Sequence, residues 1–117
     1  MGKTVLIVDD HPSFRTSARR MLEADGYEVI GEAQDGASAV AAVSSLRPEV
    51  VLLDIQLPDF DGFEVAERLS RNGNTSAIIL TSSRDRSDFG SEIAACAALG
   101  FIPKSELRAE AIASLVR

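Results

Sequence analysis

The sequence predicts an α/β domain built on a five-stranded parallel β-sheet with helices on both faces. Short apolar runs alternate with segments of helical periodicity along the chain, which is typical of consecutive βαβ units. Three of the runs, residues 5–8, 50–53 and 77–80, are apolar throughout, as central strands of a parallel sheet are. A length of 117 residues suits one domain with one compact interior.

The first half of the chain is predicted to hold three strands and two helices. The strands are Thr4–Val8, Glu28–Ala33 and Val50–Leu53. Pro12 suits the first turn of the first helix, and Gly26 is expected to close it. The second helix ends before Pro48, because a residue that precedes proline disfavours the helical conformation. The inner faces of the two helices are predicted to comprise Phe14, Ala18, Met21 and Leu22, and then Ala39, Val40, Val43 and Leu46.

The second half continues the alternation. Pro58 and the turn-like pair Asp61-Gly62 mark a loop before the third helix. Strand Ala77–Leu80, a fourth helix, a short strand at Phe101–Ile102 and a last helix from Ser105 are then predicted. The apolar residues expected inside these three helices are Phe63, Ala66 and Leu69, then Ile93, Ala94 and Ala97, then Leu107, Ala111 and Leu115.

Composition excludes several classes of function. The chain carries 18 acidic and 12 basic residues, and a net charge of -6 disfavours direct binding to nucleic acid. No apolar run approaches the roughly 20 residues needed to cross a bilayer, so we expect a cytoplasmic protein that does not contact membranes. The single cysteine, Cys96, cannot form an internal disulfide and is expected to pack as a small buried residue.

Three carboxylates are predicted to meet at one edge of the sheet. Asp9 and Asp10 follow the first strand and Asp54 follows the third, and parallel sheets bind ligands beyond the carboxyl ends of their strands. Carboxylates within a few ångströms raise one another's pKa unless a cation or a proton separates them. Mg²⁺ takes oxygen ligands from one or two carboxylates and leaves room for phosphate oxygens. The sequence therefore predicts a metal site that handles phosphate.

The same residues resemble the receiver (response regulator) domain of two-component signalling, and the resemblance covers essentially the whole chain. It rests on Val8-Asp9-Asp10, Asp54 with Pro58 and Asp61-Gly62, Leu80-Thr81-Ser82, and Gly100-Phe101-Ile102-Pro103-Lys104. The Asp-Asp-His-Pro opening and the ending from Phe101 to Leu107 look most like receivers of LuxR/NarL-type regulators. The resemblance implies a flavodoxin-like (βα)5, doubly wound fold with strand order 2-1-3-4-5. It also implies a single receiver domain over residues 1–117, without an output domain.

The resemblance assigns an expected role to each matching residue at the site. Asp54 is implied to be the phosphoacceptor, which attacks a phosphoryl group carried by a sensor histidine kinase. Asp10, Asp54 and the backbone carbonyl of Gln56, with Asp9 acting directly or through water, are implied to hold Mg²⁺ or Mn²⁺. Lys104 is implied to neutralise charge on the phosphoryl oxygens, and to pair with Asp54 when the site is empty.

The resemblance also implies a switch. The Thr81 hydroxyl can swing toward a phosphoryl oxygen, which vacates space that Phe101 fills by rotating from an exposed to a buried position. The surface of the fourth helix, last strand and last helix then changes. Expected partners are the kinase and an output domain or a second copy of the chain, with transcription regulated through a DNA-binding domain outside this chain. The chain is expected to catalyse only its own phosphorylation and dephosphorylation.

Other interpretations of these residues stay open. Asp9 or Asp10 can simply cap the following helix, and Thr81 can be an ordinary β-branched residue at a strand end. Phe101 can be core packing. His11, the single histidine, is expected to order its loop and not to carry a phosphoryl group. The competing function is a receiver-shaped interaction module that never takes phosphate.

Three features depart from the commoner receiver pattern. Gln56 and Ser83 occupy positions that tune hydrolysis of the acyl phosphate in the family, so its lifetime is not predicted. Pro103 precedes Lys104, whereas many receivers have proline after this lysine in a cis linkage, so the isomer of the Lys104–Ser105 bond stays open. The chain stops where the last helix is expected to end, as in a stand-alone receiver or an excised domain.

Overall fold

The computed structural model describes residues 3–116 and contains one parallel sheet in the order β2-β1-β3-β4-β5, which confirms the predicted topology. The strands are β1 (Thr4–Val8), β2 (Glu28–Ala33), β3 (Val50–Asp54), β4 (Ala77–Ser82) and β5 (Gly100–Pro103). The helices are α1 (Pro12–Ala24), α2 (Gly36–Leu46), α3 (Gly62–Arg71), α4 (Gly90–Ala95) and α5 (Ala109–Val116). None of the helices between residues 3 and 116 is long and apolar enough to cross a bilayer.

An apolar core lies on each face of the sheet. Successive strand residues point to opposite faces, so Leu6 and Val8 join the core beneath α2 and α3, whereas Val5 and Ile7 join the core beneath α1 and α5. Both sets are buried. This explains why the central strands are apolar at every position instead of alternating with polar residues.

The two central strands run further than predicted, and the extension carries polar residues. Asp54 is the last residue of β3, and it pairs with Thr81 of β4. The Ile55 N–H donates to the Thr81 carbonyl at 2.9 Å, which continues the pairing one step beyond the strand. Parallel pairing therefore fixes Asp54 and Thr81 side by side at the carboxyl edge.

The last two helices are shorter than predicted. α4 ends at Ala95, which leaves Ala97 outside the helix. The Leu99 N–H already donates to the carbonyl of Ile78 in β4 at 2.7 Å. Because the chain must reach β4 within four residues of Ala95, the helix has no room to continue. α5 begins at Ala109 and not at Ser105.

The segment between β5 and α5 has its own structure. Lys104–Glu106 forms a single 3-10 turn, and Leu107 is extended and packs against the core beneath α1 and α5. All peptide bonds of residues 3–116 are trans, including Lys104–Ser105. Cys96 is only partly buried, at the margin of the other core, which corrects the expectation of a fully buried residue.

Gly62, the first residue of α3, packs directly against the backbone at the end of β3. A Cβ atom at this position would lie 2.6 Å from the Asp54 carbonyl oxygen and 2.9 Å from the Ile55 Cα. We predict that Gly62→Ala lowers the free energy of unfolding by about 1–3 kcal/mol, because neither backbone atom can move aside cheaply. Urea denaturation measures this loss.

Gly90→Ala is the matched control, because a Cβ atom at Gly90 meets nothing within 4 Å and the residue lies in the first turn of α4. It should leave the stability unchanged or raise it by up to about 1 kcal/mol. Equal stability of the two variants would contradict the packing argument.

Candidate functional site

The carboxyl edge of the sheet brings together the residues that the sequence singled out. Asp9, Asp10, His11 and Asp54 each offer a ligand atom, and the four atoms lie within 4.8 Å of one another. The Lys104 ammonium lies 2.7 Å from Asp9 Oδ2 and 3.5 Å from Asp54 Oδ2. The three carboxylates and the lysine therefore lie close together in the structure.

Asp9 is completely buried, and its carboxylate is held from several sides. Its Oδ1 accepts hydrogen bonds from the His11 backbone N–H at 2.8 Å and from the His11 ring at 3.0 Å. Burial disfavours its charge, but Lys104 and these hydrogen bonds outweigh burial and hold the pKa of Asp9 below its ordinary value. Asp9 is therefore the anionic anchor of the site.

Asp54 has the opposite electrostatic character. It is 2% exposed, and its only backbone donor among the described residues is the Gln56 N–H, at 3.2 Å from Oδ1. Burial and the neighbouring Asp9 charge raise the pKa of Asp54 to about 6, although Lys104 opposes this. Two adjacent carboxylates thus differ in basicity because one of them takes most of the hydrogen bonds.

Lys104 stands nearer to Asp9 than to Asp54, whereas the expectation named Asp54 as its partner in the empty site. Its ammonium also lies 4.3 Å from the centre of the Phe14 ring, which holds it by a cation–π contact. Its side chain is mostly buried and extends from the 3-10 turn to the Phe14 ring of α1. It is thus positioned to serve either carboxylate with a small movement.

The Thr81 side chain is buried completely, and its hydroxyl has no hydrogen-bond partner within residues 3–116. Phe101 is 3% exposed and packs against Phe89, with ring centroids 6.2 Å apart. Arg86 lies over the Phe101 ring and donates to the Phe101 carbonyl at 3.0 Å. The structure therefore pairs an unsatisfied buried hydroxyl with a buried aromatic residue on the adjacent strand.

Asp59 fixes the loop that follows β3, and the sequence analysis did not predict this role. Its carboxylate accepts hydrogen bonds from the backbone N–H groups of Gly36 and Ala37, at 2.7 and 2.9 Å. The Phe60 ring covers Gly36, where a Cβ atom would lie 2.5 Å from it. These contacts tie the loop after β3, which carries Gln56, to the first turn of α2.

Arg15 is a further contributor that sequence reasoning did not place, and His11, which was expected to order its loop, also reaches the site. Arg15 donates to the Asp9 carbonyl at 2.6 Å and to Glu32 at 3.0 Å, so it braces the end of β1 against β2. The His11 ring joins the carboxylate cluster. The spacing of Asp9, His11 and Arg15 was visible in the sequence, but nothing in it indicated these contacts.

The donor set fits a divalent cation. Three carboxylates supply oxygen ligands, the mutual repulsion of Asp9 and Asp54 is only partly relieved by one lysine, and Asp10 is open to solvent. A cation bound here would remove the remaining repulsion. The acidic pocket is thus suited to hold a metal ion.

The raised pKa of Asp54 predicts how stability depends on pH. Between an ordinary pKa of 3.8 and about 6, the folded protein binds more protons at Asp54 than the unfolded chain does, so this residue's contribution to stability falls as pH rises through that window. In a metal chelator, Asp54→Asn should therefore be more stable than wild type at pH 7.5, by an amount on the order of 1–3 kcal/mol, and similar to it near pH 4. Urea denaturation between pH 4 and 8 measures both.

The control is Glu67→Gln, which removes a carboxylate from the exposed surface of α3. It should not show the same dependence on pH. A wild type whose stability exceeds that of Asp54→Asn at pH 7.5 would contradict the assignment of burial and repulsion at Asp54.

Comparison with known proteins gives the chain a family. Residues 5–116 match the family model of the response regulator receiver domain. The DNA-binding transcriptional activator EvgA of Escherichia coli K12 is 33% identical over 101 residues, which cover 86% of this chain and 50% of EvgA. The transcription regulator BvgA of Bordetella pertussis is 36% identical over 106 residues, which cover 91% of this chain and 51% of BvgA. The chain spans about half the length of the curated relatives it matches.

Solved structures agree with this result. The signal receiver domain of the response regulator NarL from Mycobacterium tuberculosis has a TM-score of 0.91 and 31% identity, over 98% of this chain and 96% of that one. A LuxR-family two-component response regulator from Aurantimonas sp. SI85-9A1 has a TM-score of 0.90 and 27% identity, over 99% and 86%. The chain therefore belongs to the response regulator receiver domain family of two-component signalling, and its relatives include LuxR/NarL-type transcriptional regulators.

Proposed function

We propose that this receiver is a phosphorylatable switch in which Asp54 accepts a phosphoryl group from a phosphohistidine on a sensor kinase. The observation that carries the proposal is the position of Asp54, a buried carboxylate at the ligand-binding edge with a lysine and two further carboxylates around it. An acidic group with a pKa of about 6 is ionised at neutral pH and is more basic than an ordinary aspartate. Both properties suit a nucleophile.

In the proposed reaction, an Asp54 oxygen forms a bond to phosphorus while the bond from phosphorus to the kinase imidazole breaks. The imidazole keeps the electron pair of the broken bond and carries a hydrogen on its other ring nitrogen, so the products are an aspartyl phosphate and a neutral histidine. Charge accumulates on the phosphoryl oxygens, so alignment and neutralisation are the main tasks of the protein. Asp10, Asp54 and the Gln56 carbonyl, with Asp9, would hold Mg²⁺ or Mn²⁺, which supplies positive charge to the phosphoryl oxygens when bound.

Lys104 would supply the second positive charge. Its ammonium already lies 3.5 Å from Asp54 Oδ2, although Asp9 holds it more closely. If the Asp9 charge were compensated, Lys104 would be free to turn from Asp9 toward the phosphoryl group on Asp54. The contact with Phe14 limits how far the ammonium moves.

Thr81 and Phe101 would transmit the signal. The Thr81 hydroxyl lacks a partner in this structure, and a phosphoryl oxygen on the neighbouring Asp54 would give it an acceptor. Phe101 is already buried, which fits the switched position as well as plain core packing. We therefore place the proposed change at the Arg86 contact with the Phe101 carbonyl and at the surface of α4, β5 and α5.

EvgA and BvgA are transcription regulators about twice as long as this chain. We propose that this domain likewise acts in the cytoplasm, with a sensor histidine kinase upstream and an output domain or a second copy of the chain as its partner. Its net charge of -6 makes DNA binding the task of another domain. Its catalysis would be limited to its own phosphorylation and dephosphorylation, and Gln56 and Ser83 occupy the positions that the resemblance links to the rate of dephosphorylation.

Incubation with Mg²⁺ and a small acyl phosphate, followed by intact mass measurement, tests the proposed chemistry. Wild type should gain one phosphoryl group, Asp54→Ala should gain none, and a chelator should abolish the gain. Asp25→Asn, which alters a carboxylate beyond α1 and outside the site, should behave as wild type. A wild type that stays unmodified would favour the interaction module that never takes phosphate.

The unpaired hydroxyl of Thr81 predicts an unusual stabilising substitution. Thr81→Val keeps the β-branched shape and removes a buried polar group without a partner, so it should raise the stability of the unphosphorylated protein by about 1 kcal/mol. Phosphorylation of Asp54 should persist, but the NMR shifts that it causes in β5 should shrink. A variant that is less stable than wild type, or that keeps the full β5 response, would contradict the proposed role of the hydroxyl.

A further inference from the structure

His11 is the one residue of the acidic cluster that the proposed chemistry does not use. Its ring nitrogen Nδ1 lies 3.0 Å from Asp9 Oδ1 and 3.1 Å from Asp10 Oδ1. The side chain is 65% exposed, so packing does not lock the ring in place. His11 is also the only histidine in the chain. Mg²⁺ prefers oxygen ligands, so the imidazole of His11 is not needed to hold Mg²⁺.

We propose that His11 is a ligand for borderline divalent cations such as Zn²⁺, Co²⁺ and Ni²⁺, and that these ions compete with Mg²⁺ for the acidic cluster. The inference rests on the proposed function, because Asp10 and Asp54 supply the remaining ligands. Imidazole nitrogen suits these metals, whereas Mg²⁺ selects carboxylate, carbonyl and water oxygens. The identity of the bound cation would therefore depend on a residue that Mg²⁺ does not need.

The backbone holds His11 in a position suited to this role. Its N–H donates to Asp9 Oδ1 at 2.8 Å, and it is the extended N-cap residue of α1, followed by Pro12. Because His11 precedes proline, its backbone is confined to the extended region, and the hydrogen bond fixes where its side chain begins. Only side-chain rotation is needed to adjust Nδ1 among the carboxylates, all of which already lie within 4.8 Å.

The proton balance of the step is simple. In the metal-free state Nδ1 can donate its hydrogen to the Asp9 or Asp10 carboxylate. To ligate a cation, the neutral ring carries its hydrogen on Nε2 instead, and the exchange between the two tautomers passes through solvent. Any additional proton on the ring is released to solvent, and the cation takes the place of the hydrogen between nitrogen and carboxylates.

One feature outside the acidic cluster supports a ligand at this place. The Thr81 hydroxyl is fully buried beside Asp54 and has no hydrogen-bond partner within residues 3–116. Within the cluster, the buried Asp9 Oδ2 lies 2.7 Å from the Lys104 ammonium, its charged partner among residues 3–116. Cys96, the other side chain attractive to Zn²⁺, follows α4, is not among the residues of the cluster and can be removed by substitution.

The test uses untagged protein in a Cys96→Ser background, with Zn²⁺ alone or Mg²⁺ alone as the probe. Because the chain has one histidine, the ring nitrogen signals in long-range ¹H–¹⁵N NMR belong to His11. Zn²⁺ should shift the Nδ1 signal to that of a metal-bound nitrogen. Calorimetry should show His11→Gln weakening Zn²⁺ binding by at least about tenfold and Mg²⁺ binding by less than about threefold.

Asp10→Asn separates the cluster from a solitary surface histidine. The proposal expects this variant to lose Zn²⁺ affinity as well. Zn²⁺ binding that is equal in wild type and His11→Gln, an unshifted His11 signal, or full Zn²⁺ affinity in Asp10→Asn would each overturn the proposal. A failure of wild type to bind Mg²⁺ at millimolar concentration would instead count against the proposed function, so the two can fail separately.

Discussion

The repulsion between two buried carboxylates, Asp9 and Asp54, is the constraint on which the rest of the site depends. Burial deprives both of water, so each makes the other's charge more costly. The two carboxylates are stabilised to different degrees. Asp9 receives the His11 hydrogen bonds and the closer lysine contact, whereas the pKa of Asp54 is raised. That inequality is what makes one carboxylate an anchor and the other a candidate nucleophile.

The fold is what enforces this proximity. β1 and β3 are adjacent parallel strands with apolar cores on both faces, so their polar ends cannot separate without exposing buried side chains. Pairing of Asp54 with Thr81 adds the third strand to the same edge. The absence of a side chain at Gly62 lets α3 begin directly against the Asp54 carbonyl. Electrostatic strain at the edge is therefore supported by hydrophobic packing below it.

Much of this could be predicted from the sequence, because strands buried on both faces leave continuous apolar runs and strand order followed from the family resemblance. The bounds of α4 and α5 could not, since the pairing of Leu99 with Ile78 and the packing of Leu107 override helical spacing. At the site, Asp9, Asp54 and Lys104 lie together at the carboxyl edge, as the order of strands and polar residues indicated, and their roles stay predictions. The sequence did not predict that Lys104 lies closer to Asp9 than to Asp54, because this difference of less than 1 Å depends on side-chain conformations that a pattern of residues does not specify.

The hydrogen bonds of Asp59 connect two parts of the chain that are 22 and 23 residues apart in sequence. The Asp59 carboxylate accepts hydrogen bonds from the first turn of α2, which lies earlier in the chain. These bonds hold the loop after β3 and the start of α2 together. The same loop carries Gln56, next to the candidate nucleophile. A displacement of this loop beside Asp54 would therefore be transmitted to α2, which contacts β1 and β2 at the end of the sheet opposite β5.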